Sequence, residues 1–224
     1  MTPHLWPCPL PHGGTGEQYA LACDSGRTMR LLIVPALFDE ANRLRRFCAE
    51  VMRRLDRGGV DSFLPDFPGT NESLGGLGDQ DAETWRAAMT AAADHFGATH
   101  VLALRGGCLF TPPGLPAWHY APVKGANILR AMIRARILAS RETGKDENRE
   151  ALTGAAQDHG IVLAGHALGP GLFRDLDALA PDPAVAIITQ EQLGGSGLWL
   201  RAEPDEDATQ ADALAALLIE GMQG

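Results

Sequence analysis

One short stretch, residues 98–110, limits what this chain can fold into more than any other. An apolar run there ends at an arginine and two glycines, which predicts a buried strand entering a tight turn. A turn that raises one side chain above a sheet needs small residues around that side chain. Ala103 and Gly107 stand two positions on either side of Arg105, so the raised residue is Arg105. A guanidinium stays protonated at ordinary pH, so it donates hydrogen bonds and pairs with anions but is not a nucleophile.

Strands and helices alternate along most of the chain. Residues 30–35 are an apolar run that predicts a parallel strand buried on both faces, and residues 42–57 repeat apolar side chains at helical spacing. The next strand is predicted at 60–65. The proline-rich residues 1–14 are interpreted as an arm ahead of the sheet. Further helices are predicted at 81–96, 127–142, 151–159, 172–179 and 209–222, and further strands at 18–23, 118–123, 161–164, 184–189 and 198–202.

This alternation predicts an α/β fold with a mostly parallel, doubly wound central sheet between helical layers. A chain of 224 residues with 45% hydrophobic content suits one domain, residues 1–224. Residues 127–179 are expected to form a helical lid over the strand ends. The long helix that normally follows such a turn is predicted to be shortened or missing, because Pro112, Pro113 and Pro116 interrupt it.

Ligands of open parallel sheets bind beyond the carboxyl ends of the strands. The predicted strands therefore mark a candidate rim, made of residues 35–42, 66–73, 105–108, 119–122, 189–192 and 202–205. The pocket candidates on this rim are Asp39, Glu40, Asn42, Arg105, Cys108 and His119. A half-buried arginine needs a carboxylate, so we expect Arg105 to pair with Glu40 in preference to Asp39.

A Ser-His-Asp triad does not fit this pattern. Arg105 fills the nucleophile position, and although Glu191 could serve as the acid, no histidine follows His166. Cys108 beside Arg105 could have a lowered pKa and attack an acyl group. Its spacing is wrong, because Phe110 stands where a small residue is needed, so a buried structural thiol is the preferred interpretation.

Composition excludes several classes of function. The formal net charge of −9 argues against a general nucleic-acid-binding protein, which needs a basic face. The histidines lack paired helical spacing backed by carboxylates, and the Gly-Gly pairs form no phosphate-binding loop, so neither a metal nor a cofactor is predicted. The four cysteines include no CxxC pair. No apolar run approaches the length of a membrane span, and residues 1–14 do not resemble a signal peptide, so a cytoplasmic location is expected.

Several segments resemble one family, the second type of exosortase A system-associated hydrolase-like protein within the α/β-hydrolase superfamily. The most specific is residues 38–46, FDEANRLRR, followed by residues 66–73, DFPGTNES, and by an arginine between glycines at the turn. Weaker similarity lies in residues 122–125 and 164–170. The chain departs from the family at Leu44. The resemblance implies an α/β-hydrolase fold and a bacterial role near exopolysaccharide and protein-sorting systems, whereas the word hydrolase rests on fold alone.

Two functions follow as hypotheses. The first is a non-catalytic α/β-hydrolase-fold protein that binds a small acidic molecule or a protein partner. The second is an atypical ester or acyl hydrolase that uses unorthodox residues. The basic side chains between residues 43 and 57 are interpreted as a solvated helix face, with anion binding or partner docking as the alternative. Assembly into a homo-oligomer stays open.

Overall fold

A seven-stranded sheet forms the centre of the molecule. The computed structural model describes residues 1–71 and 73–223. The strands are β1 (Thr2–Pro9), β2 (Thr15–Cys23), β3 (Arg30–Val34), β4 (Asp61–Pro65), β5 (His100–Leu104), β6 (Ala117–Tyr120), β7 (Ile161–Leu163), β8 (His166–Leu168) and β9 (Ala186–Ile188). The sheet order is β1-β2-β4-β3-β5-β6-β9, and β7 and β8 form a separate hairpin. Strands β4, β3, β5, β6 and β9 run parallel to one another, whereas β1 and β2 are antiparallel to their neighbours.

Helices cover both faces of this sheet. They are α1 (Asp39–Arg57), α2 (Ala82–His95), α3 (Gly125–Glu142), α4 (Arg149–His159), α5 (Pro170–Ala178), α6 (Gln190–Leu193) and α7 (Ala208–Gln223). Alternate residues of a strand point to opposite faces. Leu31 and Ile33 accordingly join the core beneath α1 and α7, while Leu32 and Val34 join the core beneath α2 and the 125–179 segment. The predicted α/β fold with a mostly parallel sheet is confirmed.

The proline-rich amino terminus is an edge strand, so its interpretation as an arm was wrong. β1 pairs with β2 along its whole length and has no neighbour on its other side in the described sheet. Pro3, Pro7 and Pro9 occupy alternate positions, so their missing N–H groups fall on one side of the strand. An outermost strand tolerates prolines because one of its sides forms no ladder.

The predicted strand at 198–202 was also wrong. Residues Leu198–Leu200 form a 3₁₀ turn in which Leu198 is buried. This segment does not join the sheet; its indole packs against Tyr120, with ring centroids 5.7 Å apart. The predicted strand at 161–164 is the first half of the β7–β8 hairpin, whose second strand was missed.

The segment that contains α3, the hairpin, α4 and α5 reaches over the carboxyl end of β5. Ile128 of α3 packs against Gly106, just beyond β5, and His166 of β8 contacts Asp39 at the start of α1. Leu129 and Leu172 of the same segment belong to the core on the α2 face, so the segment is packed into the body. No helix in the described part of the chain is long and apolar enough to cross a membrane.

Candidate functional site

The site begins at the sharp turn after β5. Arg105 has a φ of +51°, a left-handed conformation that non-glycine residues adopt rarely and at an energetic cost. The turn is possible because its neighbours are small: a Cβ on Gly107 would lie 2.2 Å from the Pro35 carbonyl oxygen, and one on Gly106 would lie 2.7 Å from Ile128 Cδ1. A 3₁₀ segment, Arg105–Phe110, replaces the long helix, as the prolines predicted. The sequence therefore predicted this turn correctly.

The Arg105 side chain is held by three residues. Its Nε and Nη2 donate to the two oxygens of Glu40 at 3.1 and 3.0 Å, which is the bidentate pair expected from the sequence. Its Nη1 donates to the Ala121 carbonyl oxygen at 2.8 Å, and its guanidinium lies 4.2 Å from the centroid of a Trp199 ring. The Trp199 contact was missed because that residue was assigned to a strand. Arg105 is thus firmly positioned at the sharp turn after β5.

Beside this pair lies a cleft of about 430 Å³ between α1, the turn and α3. Its polar side chains are Asp39, Glu40, Arg43, Arg105 and Asn127. Arg43 donates from Nη1 to the Trp199 carbonyl oxygen at 3.0 Å and pairs with no carboxylate among the described residues. The remaining walls are apolar and are formed by Leu37, Phe38, Val123, Ile128, Ala131, Met132, Ala135 and Ala164. Such a lining, apolar with a few polar groups at one side, is typical of small-molecule sites.

A second, smaller cavity of about 110 Å³ adjoins the cleft at Leu37 and Phe38. At its mouth His166 Nε2 lies 3.2 Å from Asp39 Oδ1, and the imidazole packs on the Phe38 ring with centroids 5.1 Å apart. Asn42 also lines this cavity. No role was predicted for His166, because the β7–β8 hairpin that brings it to Asp39 lies far from α1 along the chain.

The other two candidates lie beneath the turn, away from both cavities. Cys108 is buried, and its Sγ donates to the Ala103 carbonyl oxygen at 3.2 Å. Burial raises the pKa of this thiol despite the positive charge of Arg105. His119 is fully buried, its Nε2 lies 2.9 Å from Thr111 Oγ1, and desolvation lowers its pKa. Their surroundings favour structural roles.

Other predicted rim residues are placed as follows. Glu191 lies exposed on α6. The loop at 66–73 contributes Gly69, Thr70 and Asn71 to the smaller cavity, while its Glu72 lies outside the described residues. Within residues 1–71 and 73–223, no group of three or more histidine, cysteine, aspartate or glutamate side chains is arranged to hold a metal ion.

Comparison with known proteins identifies the fold. No family model and no curated protein matches the chain. Among solved structures, alpha/beta hydrolase domain-containing protein 10 from mouse is 10% identical over 100% of this chain and 99% of its own, with a TM-score of 0.58. Est1E from Butyrivibrio proteoclasticus, in a structure with ferulic acid bound, is 13% identical over 92% of this chain and 93% of its own, with a TM-score of 0.54. The chain therefore has the α/β-hydrolase fold.

Proposed function

We propose that this chain is a non-catalytic α/β-hydrolase-fold protein that binds a small amphipathic carboxylate in the cleft beside Arg105. The observation that carries this proposal is the side chain at the turn: Arg105 stands in the nucleophile position and is tied to Glu40. In this proposal residues 1–224 form one domain, and residues 127–179 act as the lid that closes the cleft.

The charges in the cleft support an anionic ligand. Glu40 is neutralised by Arg105, and Asp39 faces His166. Arg43 is the remaining cation of the cleft. Its guanidinium donates to one acceptor among the described residues, the Trp199 carbonyl oxygen. A ligand carboxylate would pair with Arg43, and its apolar part would lie along Ile128 and the neighbouring α3 side chains. The cleft volume is within the range of small-molecule pockets.

The proposed biological setting rests on the family resemblance. The segment at residues 38–46, with its acidic residues, asparagine and arginines, supports membership of the exosortase A system-associated family. We extend this to a cytoplasmic role in a bacterial exopolysaccharide or protein-sorting system, in which a protein partner or a second copy of the chain would also bind. Affinity purification from the bacterial host, followed by identification of the bound proteins, tests this setting.

A second candidate function is an atypical ester or acyl hydrolase, and the pairing of His166 with Asp39 favours it. An imidazole oriented by a carboxylate can take a proton from a water molecule, and this pair lies where the two cavities meet. A water-activating histidine would make a nucleophilic side chain at the turn unnecessary.

One set of experiments separates the two candidates. We expect no labelling by a fluorophosphonate probe and no turnover across a panel of esters and thioesters, because no nucleophile stands at the turn. Labelling that disappears on changing one specific serine would contradict the first candidate. Hydrolysis that is lost in both His166→Ala and Asp39→Asn would establish the second.

Ligand binding is measured directly by thermal unfolding with decanoate, ferulate and the uncharged alcohol decanol. We expect the two carboxylates to raise Tm and decanol to have little effect, because a ligand that binds the native state stabilises it. Arg43→Gln should remove the carboxylate effect. Arg57→Gln is the matched control, since Arg57 is exposed at the end of the same helix and lies outside the cleft. An equal Tm increase in the two variants would refute the role of Arg43.

A further inference from the structure

A groove on the outside of the 125–179 segment carries an unusual concentration of arginines. We name it the arginine groove; it is lined by Arg130, Arg134 and Arg141 of α3, by Arg149 of α4, and by the apolar side chains of Ile133, Ile137 and Leu138. Its volume is about 270 Å³. The cleft beside Arg105 uses Asn127, Ile128 and Ala131 instead, so the groove lies on a different face of α3.

The arginines of this groove differ from most of the others in the chain. Nine of the 17 arginines form ion pairs with carboxylates among the described residues, and half of the remaining eight line this groove. All four are exposed, and the one side-chain contact described for them joins Arg130 to the Asn127 amide oxygen. In a chain of net charge −9, these four arginines thus have no carboxylate within ion-pair distance among the described residues.

Two features of the groove bear on its ligand: the spacing of its arginines and the exposed leucine between them. Arg130 and Arg141 are eleven residues apart, about 16 Å along the helix, which is much wider than a single phosphate group. Leu138 lies between them and is 54% exposed. A row of arginines around an exposed leucine is typical of a helix that lies on a membrane surface, where each arginine can contact a different lipid headgroup. Long arginine side chains reach phosphates while an apolar neighbour enters the acyl boundary.

We infer that the arginine groove is a docking surface for an anionic lipid bilayer, with the phosphates of the headgroups paired to the arginines and Leu138 inserted between them. The interaction is local, because charges beyond about 8 Å are largely screened at physiological salt.

Co-sedimentation of the full chain with vesicles tests this inference. We expect binding to vesicles of equal parts phosphatidylglycerol and phosphatidylcholine, weaker binding at higher salt, and little binding to phosphatidylcholine alone. Each basic residue near an anionic surface strengthens binding by about fivefold, so the double variant Arg134→Glu and Arg141→Glu should lose at least about 25-fold. Leu138→Gln should weaken binding and keep its dependence on salt.

The matched control is the double variant Arg57→Glu and Arg86→Glu. It changes the net charge equally at two exposed arginines outside the groove, and it should bind vesicles as the unchanged protein does. Circular dichroism and thermal unfolding establish that both double variants fold. Equal loss in both variants, equal binding to neutral vesicles, or no binding to anionic vesicles would overturn the inference. Binding of inorganic pyrophosphate to the groove, with no binding to vesicles, would also overturn the inference, because the ligand would then be a soluble phosphate.

Discussion

Replacing Arg105 by methionine measures how strongly the turn depends on its ion pair. The substitution removes the two hydrogen bonds to Glu40, the bond to the Ala121 carbonyl oxygen and the contact with Trp199, while it keeps a long side chain in place. Glu40 then loses both of its hydrogen bonds from Arg105 in a half-buried site. The protein should therefore lose stability even though no apolar core is touched.

The exposure of the pair sets the size of this loss. Removing one partner costs about 3–5 kcal/mol for a fully buried ion pair, whereas an exposed pair contributes about 0–1 kcal/mol. The side chains of Arg105 and Glu40 are 15% and 26% exposed, so the pair is closer to the buried case, with partial hydration of Glu40 reducing the cost. Adding the lost arginine–indole contact, we expect a decrease of about 3 kcal/mol in the free energy of unfolding.

Urea unfolding of a double-mutant cycle is the assay. Glu40→Gln alone should cost less than Arg105→Met, because its amide still accepts a hydrogen bond and Arg105 keeps its contacts with Ala121 and Trp199. The double variant should be more stable than the sum of the single losses predicts, by about 1–2 kcal/mol, since the two side chains are in direct contact. Arg57→Met, at an exposed site, should stay within about 0.5 kcal/mol of the unchanged protein.

Two results would refute this reasoning. One is a loss below about 1 kcal/mol for Arg105→Met, which is the value for a solvated pair. The other is additivity of the two substitutions within about 0.5 kcal/mol, because independent sites add and paired sites do not.

Three further predictions concern the turn, the thiols and the pH dependence of stability. Gly107→Ala should lower the free energy of unfolding by more than about 3 kcal/mol, because the added Cβ would meet the Pro35 carbonyl oxygen. Gly154→Ala, which adds a Cβ in open space on α4, should raise the free energy of unfolding by about 0.5–1 kcal/mol. Equal urea midpoints for the two variants would contradict this prediction. All four cysteines are buried and burial raises the pKa of Cys48 to about 12, so a thiol reagent should label the native protein only as it unfolds, and rapid labelling at pH 8 would contradict this. Burial lowers the pKa of His119, so the unfolded state binds a proton more readily than the folded state does. The free energy of unfolding should therefore fall as pH drops through about 6.5, by at most about 1.4 kcal/mol per pH unit. Urea unfolding at pH 7.5 and 5.5 should show a smaller pH dependence for His119→Asn, and an unchanged dependence would contradict this prediction.

The sequence alone determined the elements whose signals are local. The apolar run at β3 and the repeat of α1 predicted their own structures, because burial on both faces and helical spacing are visible within a dozen residues. The turn at Arg105 was equally readable, since only small neighbours permit its backbone conformation. Even the pair with Glu40 was predicted, because Arg105 directly follows β5 and Glu40 lies beyond the same end of the neighbouring parallel strand β3.

Only the tertiary structure decided the features that depend on distant partners. Whether residues 1–14 form an arm or a strand depended on pairing with β2, and whether residues 198–202 form a strand depended on the contacts of Trp199 with Tyr120 and Arg105. The contacts of Trp199 with Arg105 and of His166 with Asp39 join residues separated by more than ninety positions, so no local pattern predicts them. The cleft itself exists because α3 returns over the carboxyl end of β5, where side chains from separate parts of the chain enclose a common space.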